Sequence, residues 1–149
     1  MKRKSLIAFT MLCLVVVLTA TSVSAQSNHN LVVTIPFEFA IQGKTLPPGE
    51  YIVKRVSADR PEMLSIGSVD GRTTKVAVLT SNVRAKTTQR ESTLVFNQYG
   101  NQYFLSQIWE AGNSAGREVM KSGKEHQLER ELAKNRAARE KVAIVGFHN

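Results

Sequence analysis

The chain has one cysteine in 149 residues, and that one, Cys13, lies inside the N-terminal apolar run. Beyond it there is no thiol. Disulfides, zinc–thiolate sites and Cys–His dyads are therefore excluded from the body of the protein. Histidine is scarce, with only His29, His126 and His148. None of them falls on an expected strand with an acidic partner close in sequence. Asp59 and Asp70 sit in turn signals, where Asp is chosen to hydrogen-bond its own backbone. The sequence contains no G-x-S-x-G, no H-E-x-x-H and no phosphate-binding glycine loop. No catalytic residue, metal site or cofactor is expected, and the chain reads as a non-enzyme.

Long apolar runs are also missing, except for Leu6–Ala20. Lys2, Arg3 and Lys4 precede that run, and the small residues Val23-Ser24-Ala25 follow it. This is the layout of a secretory signal peptide cleaved after Ala25. A retained anchor needs about 20 apolar residues and a basic flank; the run is shorter and Ser, Ala, Gln and Asn follow it. Lipoprotein processing needs a cysteine after the run, and Cys13 lies within it. An exported protein, periplasmic or extracellular, is expected, with no transmembrane segment after cleavage. The remaining 124 residues suffice for one small domain and carry a net charge of +5, against +8 for the whole chain.

Residues 26–112 read as a β-domain and residues 113–149 as a linker with a charged helical tail. Leu31–Ile41 alternates strictly, with Leu31, Val33, Ile35, Phe37, Phe39 and Ile41 on one face. Pro36 marks a sheet edge or a bend, because it has no N–H to donate. Gln42-Gly43-Lys44 and Leu46-Pro47-Pro48-Gly49 are turns. Further strands are expected over 50–56, 62–68, 73–80, 93–98 and 103–109. Asp70-Gly71 is a hairpin signal and 81–91 a longer polar loop. About six antiparallel strands in so short a span close into a small barrel or a sandwich. In the tail, Ser122-Gly123-Lys124-Glu125 fits a capping box, and 124–141 holds no Gly or Pro. Lys121/Glu125, Glu131/Lys134 and Arg136/Glu140 have helical ion-pair spacing. Val142–Phe147 is a short apolar end able to pack back on the domain.

Three segments carry a resemblance. Ile35-Pro36-Phe37-Glu38-Phe39, Gly43-Lys44-Thr45-Leu46-Pro47-Pro48-Gly49-Glu50-Tyr51 and Tyr103-Phe104-Leu105-Ser106-Gln107-Ile108-Trp109 resemble the IPFxF, GxxLPxGxY and YFLSQxW segments of a group of short, signal-bearing proteins of soil bacteria. The likeness spans most of residues 32–118. It implies a secreted β-protein and carries no activity with it.

Aromatic residues make up only 7% of the chain, so those on strands are needed by the core. Tyr99, Tyr103 and Trp109 are nonetheless the aromatic candidates for a partner-binding surface. Arg84, Lys86 and Arg90 are the basic candidates, in the 81–91 loop. A basic chain invites a nucleic-acid reading, but export removes access to the genome, so none is expected. The expected partner is an unknown protein or an anionic component of the cell envelope. The function that follows is an exported, non-enzymatic β-domain with a binding or envelope role; the alternative is a small barrel carrying an apolar ligand.

Overall fold

The structure, a computed structural model, describes residues 30–72, 75–134 and 139–148. The leader and its cleavage site lie outside the described residues, as do His29 and Arg136. The described residues form ten strands and one helix. The strands are β1 (Leu31–Ile35), β2 (Phe39–Ile41), β3 (Lys44–Leu46), β4 (Gly49–Ser57), β5 (Arg60–Ser68), β6 (Val76–Arg84), β7 (Ser92–Tyr99), β8 (Gln102–Trp109), β9 (Ala115–Val119) and β10 (Glu140–His148). The helix, α1, spans Gly123–Lys134 between β9 and β10.

Eight strands close an antiparallel barrel in the order β1-β4-β5-β6-β9-β8-β7-β10, with β10 pairing back onto β1. The barrel closes between β8 and β9, where Gln107–Trp109 pair with Glu118–Gly116. The β2–β3 hairpin adds to the other half of β8, with Phe39 and Ala40 parallel to Tyr103 and Phe104. Inward positions alternate along each strand, as the pleat requires. Val33, Ile35, Tyr51, Ile66, Leu94 and Phe96 are each at most 1% exposed and fill the lumen. Each such side chain contributes about 1.5–3 kcal/mol through burial. Eight strands enclose a space that side chains can fill.

The all-β core with a helix near the C-terminus is as expected; the strand count and the place of the tail are not. Leu31–Ile41 is two strands, because Pro36 interrupts the ladder and Phe39–Ile41 turns away to β8. Phe37, in the break, is half-buried rather than buried, stacked on Tyr103 at 4.0 Å. Gln42 and Gly43 both take positive φ, +46° and +82°, in the tight β2–β3 turn. At Asp70-Gly71 only Gly71 is left-handed, at φ +72°, so this turn is not the two-residue type I′ form.

The largest correction concerns residues 113–149. Outside α1 the described residues of this span are not a charged appendage. Ala115–Val119 pairs with β6 and β8, and Glu140–His148 lies between β7 and β1. The expected linker is a barrel strand, and the apolar end Val142–Phe147 is the strand that joins the two halves. β9 also explains why β6 runs to Arg84, into the expected loop: Arg84 pairs with Ala115.

The helix begins where the capping box placed it. The Glu125 N–H donates to Ser122 Oγ at 3.2 Å. The Glu125 carboxylate does not return the bond. It turns inward, 3% exposed, and accepts from Asn97 Nδ2 (2.9 Å) and Tyr99 OH (3.3 Å) on the outer face of β7. Lys121 consequently pairs with Glu129, at 2.7 Å, and not with Glu125.

Candidate functional site

At one end of the barrel β4, β6 and β8 finish while β5, β7 and β9 begin. The hairpin tip 57–60, the loop 85–91 and the connection 110–114 gather there. Inward positions change character at this end. On β4 the series Tyr51, Val53 ends in Arg55. On β6 the series Val76, Val78, Thr80 continues with Asn82 and Arg84. On β9, Arg117 lies opposite Asn82 and beside Ile108. The three arginines thus occupy inward register positions at one barrel mouth.

Between Arg55 and Arg117 is a cavity of about 80 Å³. Leu31, Val53, Leu64 and Ile108 form its apolar floor; Arg55, Asn82, Glu110, Asn113 and Arg117 form its polar rim. Arg117 Nη1 donates to Asn82 Oδ1 at 2.6 Å. Arg55 reaches Glu110 at 3.9 Å, with its side chain half exposed, a weak and solvent-screened pair. A guanidinium has five N–H donors, and an amide oxygen satisfies one without neutralising the charge. The 85–91 loop is pinned beside the rim: Ala85 N–H to Ser114 O (2.8 Å), Gln89 N–H to Asn113 O (3.0 Å) and Gly112 N–H to Gln89 O (2.9 Å). That loop carries Lys86 and Arg90.

The six residues anticipated as partner-binding do not form one surface. Arg84, Lys86 and Arg90 are exposed at the mouth end. Tyr99 is at the opposite end, buried beneath α1, where burial pushes its phenol up and keeps it a neutral donor to Glu125. Tyr103 is half-buried against Phe37. Trp109 lies on the outer face over Gly116, with its Nε1–H on Gln107 Oε1 at 3.2 Å. The aromatic residues pack the fold, and the basic ones join Arg55 and Arg117. Sequence reasoning missed those two. Arg55 had a usable signal, as a charge in the inward phase of Tyr51 and Val53. Arg117 had none, because its strand was read as linker.

Ser92 Oγ and His148 Nε2 share a 2.7 Å hydrogen bond across β7 and β10. Ser92 is 2% exposed, and its Oγ also accepts the Ala111 N–H at 2.9 Å. The pair latches the last strand at the mouth; a nucleophile needs an open oxygen. Among the described residues no cluster of His, Cys, Asp and Glu has the makings of a metal site.

The Leu46-Pro47-Pro48-Gly49-Glu50-Tyr51 segment is at the far end. Tyr51 OH donates to Pro47 O at 2.6 Å, so the motif ties a turn to the core through a buried ring. With the 68–72 turn it borders an open groove of about 360 Å³, in which Arg72 is paired with Asp70 at 3.5 Å. A hydrogen bond from Ser68, then the Arg72 N–H, holds the Asp70 carboxyl below its ordinary value. The groove's cation thus has a carboxylate beside it, as Arg55 has Glu110 at the mouth, whereas Arg117 has the neutral Asn82 amide. No family model, curated protein or solved structure matches this chain.

Proposed function

We propose that this is an exported, non-enzymatic binding protein of the cell envelope whose site is the arginine-rimmed barrel mouth. The observation that carries the reading is the placement of Arg55 and Arg117 on the rim of one cavity, with Arg84 paired beside it to Ala115 of the lining. Guanidinium forks match carboxylate and phosphate oxygens in pairs of hydrogen bonds. The ligand group is therefore an exposed phosphate or carboxylate, entering the rim while the apolar floor excludes water behind it. An apolar cargo, the alternative, does not fit the mouth: sites for such ligands occupy roughly 300–1,000 Å³, and the mouth cavity is about 80 Å³.

Inorganic phosphate is the probe. Melting temperature is compared in phosphate and in chloride at equal ionic strength. Phosphate raises it in the parent, and Arg117→Ala removes most of the rise. A ligand at about 100 times its Kd adds about 2.7 kcal/mol of stability. Arg117→Lys, which keeps the charge but loses the fork, guards against a folding defect. No rise in the parent, or an equal rise in Arg117→Ala, overturns the reading. Export is checked separately: intact mass of secreted material should place Gln26 at the N-terminus.

A further inference from the structure

The mouth cavity is built in two chemical layers. Leu31, Val53, Leu64 and Ile108 reach it from β1, β4, β5 and β8, and each is at most 5% exposed. Those four side chains offer a ligand no hydrogen bond. The rim offers donors. Arg117 donates to the neutral Asn82 amide at 2.6 Å, which leaves its charge unneutralised. Both rim asparagines spend their side-chain oxygens within the protein, Asn82 on Arg117 and Asn113 on the Ala115 N–H at 2.9 Å. What each has left for a ligand is its NH2 group. Arg55 is the weaker cation here, because Glu110 of the lining lies 3.9 Å from it.

Volume and shape narrow the choice of anion. A cavity of about 80 Å³ equals roughly three waters, at about 30 Å³ each in the liquid. A short aliphatic group fills that space, and a lipid chain overruns it. A phosphate ion suits the rim alone. With two oxygens on a guanidinium its other two turn towards the apolar floor, where losing water without gaining a bond costs free energy. A carboxylate has two oxygens on one carbon, matched to one guanidinium fork, and everything behind them can be hydrocarbon.

We infer that the mouth takes a terminal carboxylate carried on an aliphatic group of about three carbons, with its oxygens on Arg117 and its hydrocarbon on Leu31, Val53, Leu64 and Ile108. The inference rests on the anion-binding reading of the mouth and names the class of anion. A free short-chain acid presents this chemistry, and so does the last residue of a peptide ending in valine.

The test is an NMR titration of the exported protein with acetate, butyrate and octanoate at constant ionic strength, read from the amides of Val53, Ile108 and Arg117. Butyrate should bind about tenfold more tightly than acetate, since each buried carbon contributes about fourfold. Octanoate should fall below butyrate, and butanol, which lacks the charge, should bind far more weakly. Val53→Leu adds a carbon to the floor and should shrink the advantage of butyrate over acetate. Arg117→Lys should weaken every acid and keep their order. A valine-ending peptide that binds more tightly than butyrate, with binding lost in its C-terminal amide, supports the inference with a chain terminus as the source. A peptide weaker than butyrate supports it with a free acid as the source. Equal binding of acetate and butyrate overturns the inference, as does octanoate binding tightest, butanol matching butyrate, or an amide matching its acid. An unchanged butyrate-to-acetate ratio in folded Val53→Leu overturns it too. Phosphate stabilisation that depends on Arg117, found with butyrate no tighter than acetate, ends this inference and leaves the anion-binding reading standing. Indifference to phosphate and to every acid ends both.

Discussion

At the scale of single residues, Phe37, Glu38 and Phe39 show how far alternation can be trusted. Phe39 is 1% exposed and meets Tyr51 and Phe96 edge-on, at 5.1 and 5.5 Å. Phe39→Ala should cost about 3–5 kcal/mol in a denaturant titration. Phe37 has one face open, so Phe37→Ala should cost less, about 1–2 kcal/mol. Glu38 is exposed, and Glu38→Ala should cost under about 0.5 kcal/mol. Equal costs for the two rings would show that Phe37 is enclosed after all. The alternation located the buried face correctly at Leu31, Val33, Ile35 and Phe39. The break at Pro36 was also legible as an interruption. What the strand does after the break depends on Tyr103 and β8, some sixty positions further along the chain.

Among the elements, α1 has the least apolar anchorage and the most dependence on charge. Glu129 accepts two bonds of 2.7 Å from Lys121 Nζ and one of 2.9 Å from Arg139. The Lys121 hydrogen bond is the main reason its carboxyl lies below its ordinary value, against a smaller opposing effect of desolvation. A carboxyl whose folded pKa is depressed stabilises the fold above its unfolded pKa. That contribution disappears as pH falls through the folded value. Acidification through and below the ordinary glutamate range should therefore loosen α1. Glu129→Gln should flatten that acid limb in helical circular dichroism. A variant with the parent's pH profile would show that the clamp contributes nothing. The effect is modest, since both partners are part-exposed and screened. The capping box was visible in sequence because it is local. The inward turn of Glu125 was not, because Asn97 and Tyr99 had to be brought beneath the helix first.

For the whole molecule, the position of β10 decides stability. It pairs with β7 over Glu140–Gly146 and with β1 at Phe147 and His148. Deleting residues 113–149 removes β9 and β10 and exposes the edges of β1, β6, β7 and β8 together. The truncated chain should lose its β circular dichroism and cooperative unfolding, where an appended tail would leave both intact. A soluble, cooperatively folding 26–112 fragment would defeat the barrel closure described here.

By itself the sequence determined what depends on near neighbours. Period-two alternation set the β class and the inward faces. Gly and Pro set the turns, and Ser122 set the start of α1. The single Cys13 ruled out a disulfide framework. Tertiary structure decided what depends on contacts distant in the chain. A strand such as Ala115–Val119, Ala-Gly-Arg-Glu-Val, has little propensity of its own and exists because β6 and β8 offer it two open ladders. The same closure brings Arg55, Arg84 and Arg117 to one end of the barrel. Their common property is an inward position at one rim, and a rim exists only once the sheet has met itself.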